Sequence, residues 1–200
     1  MKKEMTISEL VVKMIEASGG NLHDIRHFMK VYAFAKTIAE CEGVSPNEQR
    51  TIEAAAVLHD IACPLCREKY GSTNGKYQEL EGTGLTEAFL EGSGLPEEMI
   101  SRIIWLVGHH HTIAPVEGID HQILLEADYL VNADESGYSA ENILNTEKKL
   151  FRTRTGTALL KSMYESKEKW GTLKSEKQHQ PESSPGRILR NGVRTDVELK

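Results

Sequence analysis

The stretch AAAVLHDIACPLC, Ala54 to Cys66, places an imidazole beside a carboxylate in a run that otherwise reads as protein interior. Ala54 to Leu58 are small or branched apolar residues without polar relief. His59 and Asp60 follow, and Ile61 and Ala62 then resume the apolar character. Burying a carboxylate without a partner is very costly. No lysine or arginine lies within this stretch, so a partner for Asp60 has to come from elsewhere in the chain.

Outward from this stretch the pattern is helical almost throughout. Ser45-Pro46-Asn47-Glu48 is a capping box with proline at the first helical position, and it opens a helix running through His59. Earlier, Leu10, Val11, Met14 and Ile15 form an apolar stripe ended by Gly19-Gly20. Asp24 is placed to cap a helix that runs to Glu42 and is stopped by Gly43. After Pro64 the segment REKYGSTNGKYQE is polar and glycine-containing and is expected to be a loop, followed by a helix to Glu91. SGLPEE starts a helix carrying Met99, Ile100, Ile103, Ile104 and Val107. Two more are expected, over His121 to Ala133 and over Ser139 to Lys169. No segment alternates apolar and polar residues as a half-buried strand does. The expected fold class is all-α. Residues 1–170 are expected to form one domain. Residues 171–200 are polar and punctuated by proline and glycine, and are expected to be a flexible tail because they bury too little to offset their ordering entropy.

The 200 residues carry a net charge of −6 with a pI near 5.8, which argues against a general nucleic-acid binder but leaves room for one nucleotide in a locally basic pocket. The N-terminus mixes acidic residues into its apolar positions and lacks the uninterrupted core of a signal peptide, and no apolar run is long enough to span a membrane. A cytoplasmic location is expected. Cys41, Cys63 and Cys66 make no disulfide framework. The CPLC pair lacks both the strand–helix setting of a redox motif and the second pair of a structural zinc site, and reads as two reduced thiols near a helix end.

Helical faces sharpen the puzzle of Asp60. His59 shares a face with Ile52, Ala55 and Ala56, and Asp60 lies one step round. His27 shares a face with Val31, Ala35 and Ile38, and Asp128 shares one with Leu124 and Val131. Three helices thus each put an ionisable group on an apolar stripe. Histidines in such places are commonly satisfied core residues. Two carboxylates and two imidazoles meeting at one point would instead call for a divalent cation, with imidazole nitrogen and carboxylate oxygen as its donors. Spacing alone leaves both alternatives open.

The ordered set of His27 in DIRHFMKV, His59-Asp60 in AAVLHDIA and Asp128 in LLEADYLV resembles the HD-domain superfamily of metal-dependent phosphohydrolases. QELEGTGLTEAFLEGSGLPEE and IIWLVGHHHT lie between the motifs, and the resemblance spans roughly residues 20 to 165. It implies a helical bundle around a single metal site with His27, His59, Asp60 and Asp128 as ligands. It also implies hydrolysis of a phosphoester or phosphoanhydride, in a nucleotide or another small phosphorylated metabolite. Asp60, His110 and His111 are then the catalytic candidates. His110 and His111 continue the apolar face of Ile103 and Val107, whereas His109 falls toward Arg102 and Glu98. Arg26, Lys69, Lys76 and Gln78 are candidate substrate contacts.

Departures from the family narrow the expectation. Some members place a second-metal histidine where this chain has Gln78, so one metal per chain is expected, of manganese, iron, nickel, cobalt or zinc type. The Glu-Asp pair of guanosine-tetraphosphate hydrolases is replaced by Ile61 to Pro64, and the Gly-Tyr-Pro signature of cyclic-dinucleotide phosphodiesterases is missing from HHHTIAPVEG. Two other classes compete: an HD-fold oxygenase, which needs two irons, and a regulatory module that binds a nucleotide without chemistry. Expected partners are a small phosphorylated substrate and, as one compatible assembly, a second copy in a homodimer; no membrane is expected.

Overall fold

The computed structural model describes residues 3–164. The expected tail at 171–200 and the end of the helix expected to reach Lys169 lie outside them. Eight helices follow in order: α1 (Ile7–Ala17), α2 (Leu22–Glu42), α3 (Pro46–Leu58), α4 (Cys63–Tyr70), α5 (Gly75–Leu90), α6 (Glu97–Val107), α7 (Gly118–Glu135) and α8 (Ala140–Leu150). A further helical segment covers 154–164, and there is no strand among the described residues.

α3 is the axis on which the others pack. Every residue from Thr51 to Leu58 is buried, and α1, α2, α6 and α7 all contact this helix. Ala54, Ala55 and Ala56 explain why so many neighbours fit, because methyl side chains let helix axes approach closely. The surrounding core is built from Phe28, Val31, Ile38, Ile103, Leu106, Leu124 and Leu130, all essentially without solvent exposure. Trimming one of the large ones to alanine costs about 2–5 kcal/mol. α3 starts as the sequence indicates: the Ser45 hydroxyl accepts from Glu48 N–H, and the Glu48 carboxylate accepts from Ser45 N–H.

Four boundaries differ from expectation, each for a local reason. α2 is capped by Asn21, whose side chain accepts the His23 and Asp24 N–H groups. Asp24 instead pairs with Arg67. That arginine belongs to α4, a helix where a loop was expected. Eight residues are too few to show periodicity, but Pro64 suits a first turn and Gly71, at φ +64°, provides the left-handed stop. The Asp24–Arg67 pair clamps α4 onto the start of α2. α7 begins at Gly118, three residues before His121. The long last helix is broken after Leu150, where the buried carboxylate of Glu126 accepts the N–H groups of Arg152 and Thr153 and the Thr153 hydroxyl. Glu126 thereby caps the segment at 154–164, a long-range contact with no local signature.

Candidate metal centre

The HD pair sits where α3 ends. His59 is the C-cap of α3, and the chain then turns tightly, with Ile61 N–H donating to Leu58 and Cys63 N–H to Asp60. Had the helix continued, Asp60 would point about 100° away from His59. Leaving the helix lets both side chains face one point.

α2 and α7 supply the rest, and they pack on each other and on α3. His27 Nε2 lies 3.2 Å from His59 Nε2, 3.3 Å from Asp128 Oδ1 and 3.5 Å from Asp60 Oδ2. His59 Nε2 is 3.6 Å from both Asp60 Oδ1 and Asp128 Oδ1. His27, His59, Asp60 and Asp128 therefore converge, and donor atoms of His27, His59 and Asp60 all lie within 4.8 Å of one another. The site is nearly closed to solvent: His59 is 1% exposed and Asp60, at its mouth, 17% at the side chain.

Each imidazole has one nitrogen already committed. His27 Nδ1 bonds Glu135 Oε2 at 2.8 Å, His59 Nδ1 the Ala56 carbonyl at 2.9 Å, and His110 Nδ1 the Val107 carbonyl at 2.7 Å. Since only an N–H can donate to those oxygens, the neutral form of each ring turns an Nε2 lone pair inward. The His27 and His59 lone pairs then face each other across 3.2 Å, beside two carboxylates. That arrangement repels itself unless a cation lies among the donors. The donor chemistry thus fits a divalent transition metal. A proton meets the same demand. Burial alone would lower the His27 pKa, but the hydrogen bond to Asp128 and the charges of Asp60 and Asp128 outweigh it and raise it to about 9. Burial would raise both aspartates, and the imidazoles around them more than reverse this, holding both below the usual carboxylate range.

A second group adjoins the first through Asp60. Donor atoms of Asp60, His110 and His111 lie within 4.8 Å of one another. His110 Nε2 is 3.6 Å from Asp60 Oδ1, too far for a hydrogen bond, and is buried without one. Burial and the neighbouring His110 lower the His111 pKa to about 4, so that ring is neutral. It packs against Gly75, where a Cβ would come within 2.6 Å of it. His109 is elsewhere: it stacks on Trp105, with ring centroids 4.1 Å apart.

The expected substrate contacts are scattered. Gln78 is buried on the α5 face between Gly75, which packs on His111, and Gly82, which faces Val107. Its Nε2 donates to the Thr73 carbonyl at 2.8 Å while its Oε1 has no partner. Lys69 is exposed and paired with Glu81 at 2.7 Å. Lys76 and Arg26 are both exposed. Cys63 and Cys66 are free and buried at the start of α4. Burial, with the charges of Asp60 and Asp24, pushes the Cys63 thiol up, which suits an inert side chain.

Sequence reasoning missed Glu135 on His27, Asn132 and Glu79. Asn132 Nδ2 donates to Asp128 Oδ1 at 2.8 Å, and Glu79 accepts from His111 N–H and the Thr112 hydroxyl. The signal for two of them was present. Asp128, Asn132 and Glu135 recur at i, i+4 and i+7, one polar line on an otherwise buried helix.

A bundle of helices that gathers two histidines and two aspartates in this order defines a class, and the comparisons place the chain in it. The chain belongs to the HD domain family, whose model matches residues 24–152. A solved structure of a predicted HD superfamily hydrolase from an uncultured Thermotogales bacterium is 21% identical, covering 89% of this chain and 96% of its own, with a TM-score of 0.66. The Lin1889 protein from Listeria innocua is 19% identical, covering 88% of this chain and 100% of its own, with a TM-score of 0.56. At these identities the likeness is one of fold. No curated protein matches the chain. No helix among the described residues is long and apolar enough to cross a membrane.

Proposed function

We propose that this chain is a metal-dependent phosphohydrolase that cleaves a phosphoester or phosphoanhydride in a small phosphorylated metabolite, with a nucleotide the first candidate. The observation that carries it is the pair of inward Nε2 atoms, His27 and His59, 3.2 Å apart beside Asp60 and Asp128. In this reading those four residues hold one divalent ion. When bound, such an ion supplies a water of lowered pKa and polarises a phosphoryl oxygen.

The chain's own groups do the rest. Asp60 is shared between the metal-binding set and the His110–His111 group, so it is placed to orient the attacking water by accepting its proton in a hydrogen bond. His110 presents a buried Nε2 with its Nδ1 held by Val107, and its pKa is raised because the attraction of Asp60 and Asp128 exceeds the cost of burial. When it carries a proton, His110 can offer that Nε2–H to a phosphoryl oxygen. His111 is neutral and shapes the same wall. Gln78 offers Oε1 as an acceptor, which suits a hydroxyl or amine of the substrate and not its phosphate. Of the three candidate cations, Arg26 and Lys76 have no ion-pair partner among the described residues and are available to neutralise phosphate, and Lys69 can join them only by leaving Glu81.

The test is elemental analysis of the purified chain together with a phosphate-release screen. Nucleoside mono-, di- and triphosphates and sugar phosphates are offered with manganese, iron, nickel, cobalt and zinc in turn. One metal per chain, and turnover abolished by chelator and by Asp60→Ala, are expected. Metal uptake without phosphate release from any compound leaves a regulatory nucleotide-binding module, and two irons per chain transfer the assignment to an oxygenase.

A further inference from the structure

Glu135 is the last residue of α7 and stands outside the four-residue set, yet its carboxylate is only 16% exposed and aims at it. One oxygen accepts from His27 Nδ1 at 2.8 Å and the other from Lys30 Nζ at 3.0 Å. Lys30 follows His27 by three residues on α2, so one turn of α2 presents both groups to one carboxylate of α7. His59 is held differently, by the Ala56 carbonyl of its own helix. That contact is built into the backbone, whereas the one on His27 depends on a side chain. Without an acceptor at Nδ1, an imidazole is free to rotate and to carry its proton on Nε2, pointing a hydrogen at the site in place of a lone pair. A carboxylate on the outer nitrogen removes that freedom and makes the inner nitrogen a stronger donor.

We infer that Glu135 is a positioning residue of the metal centre: it holds His27 with Nδ1 protonated and Nε2 turned inward, and Lys30 holds Glu135 in register. The inference rests on the proposed role of His27 as a ligand. It concerns the geometry of the ring, which distinguishes it from a general effect of negative charge near a cation. Glu135→Ala removes charge and contact together. Glu135→Asp keeps the charge but withdraws the carboxylate by one methylene.

The experiment titrates manganese and zinc into the metal-stripped full chain by calorimetry, for wild type and both variants. It also records the ring N–H signals of the zinc-loaded proteins by 15N NMR. Glu135→Ala should weaken metal binding by about 10–100-fold, and Glu135→Asp should lose a comparable factor. The slowly exchanging Nδ1–H signal of His27 should be present in wild type and lost in both variants. Alanine-variant affinity within twofold of wild type overturns the inference, as does an aspartate variant that binds like wild type. If the alanine variant does not fold, the aspartate variant decides alone by the same criterion. A wild type that binds neither metal overturns the ligand role of His27 itself, a different failure from a wild type that binds while the variants match it.

Discussion

His27 Nε2 and His59 Nε2 stand 3.2 Å apart with both outer nitrogens already bonded, to Glu135 and to the Ala56 carbonyl. Two acceptors so close demand a positive charge between them. A proton on His27 or a divalent metal satisfies the demand, and the two exclude each other. Much of the behaviour of this chain in solution follows from that competition.

The first consequence is a pH dependence of the metal-free protein. The His27 pKa is raised from 6.5 to about 9 on folding, so its proton stabilises the folded state. This contribution is complete below pH 6.5 and is lost as pH rises through about 9. At 1.36 kcal/mol per pH unit its upper bound is about 3 kcal/mol. Urea unfolding of the chelated protein should show stability declining from pH 6.5 to 9, and His27→Gln should flatten that decline. An equal slope in the variant would remove His27 as its source.

Metal should compete with the same proton. Affinity for manganese is expected to rise with pH up to about 9, by as much as tenfold per unit, because binding expels the His27 proton. Calorimetry in buffers of different ionisation enthalpy counts the protons released. None released at pH 7 would mean that the metal does not engage His27.

Asp128→Asn tests the α7 contribution. Asp128 accepts from Asn132 and faces both histidines. In the metal-free form at pH 6, where His27 carries its proton, losing the charge should cost about 1–3 kcal/mol. The unfolding temperature of wild type should rise much more on adding manganese than that of the variant. Identical metal-induced shifts would place Asp128 outside the site.

The cysteines should be silent. Burial pushes the Cys63 thiol up, and Cys41 is the exposed one. Alkylation of the folded protein at pH 8 should modify Cys41 and spare Cys63 and Cys66. Cys66→Ser should retain metal content, and loss of metal from it would restore the CPLC pair as a functional motif.

Glu126 separates a structural acid from those of the proposed metal centre. Glu126→Ala leaves the N–H groups of Arg152 and Thr153 without their acceptor and takes from the Gln122 amide one of its two, the Leu150 carbonyl remaining. A loss of about 3 kcal/mol in unfolding free energy is expected, with metal stoichiometry unchanged. Loss of metal with intact stability would reverse the assignment.

The all-α class, the capping box of α3 and the apolar stripes of α1 and α6 were legible from the sequence, because capping and helical periodicity are local physics written within a few residues. His27, His59, Asp60 and Asp128 stood out for a related reason: polar groups on apolar stripes contradict their surroundings. What the sequence could not show was their meeting. Asp60 reaches the site only because α3 stops at Leu58, and the orientation of His27 depends on Glu135, which is 108 residues away along the chain. α4 and the break after Leu150 were hidden likewise, since Arg67 answers to Asp24 and Thr153 to Glu126 across long loops of chain. Local propensity determines which segments are helices. Where a helix must end, and which way a ring must face, is decided by partners that only the folded chain brings within 3 Å.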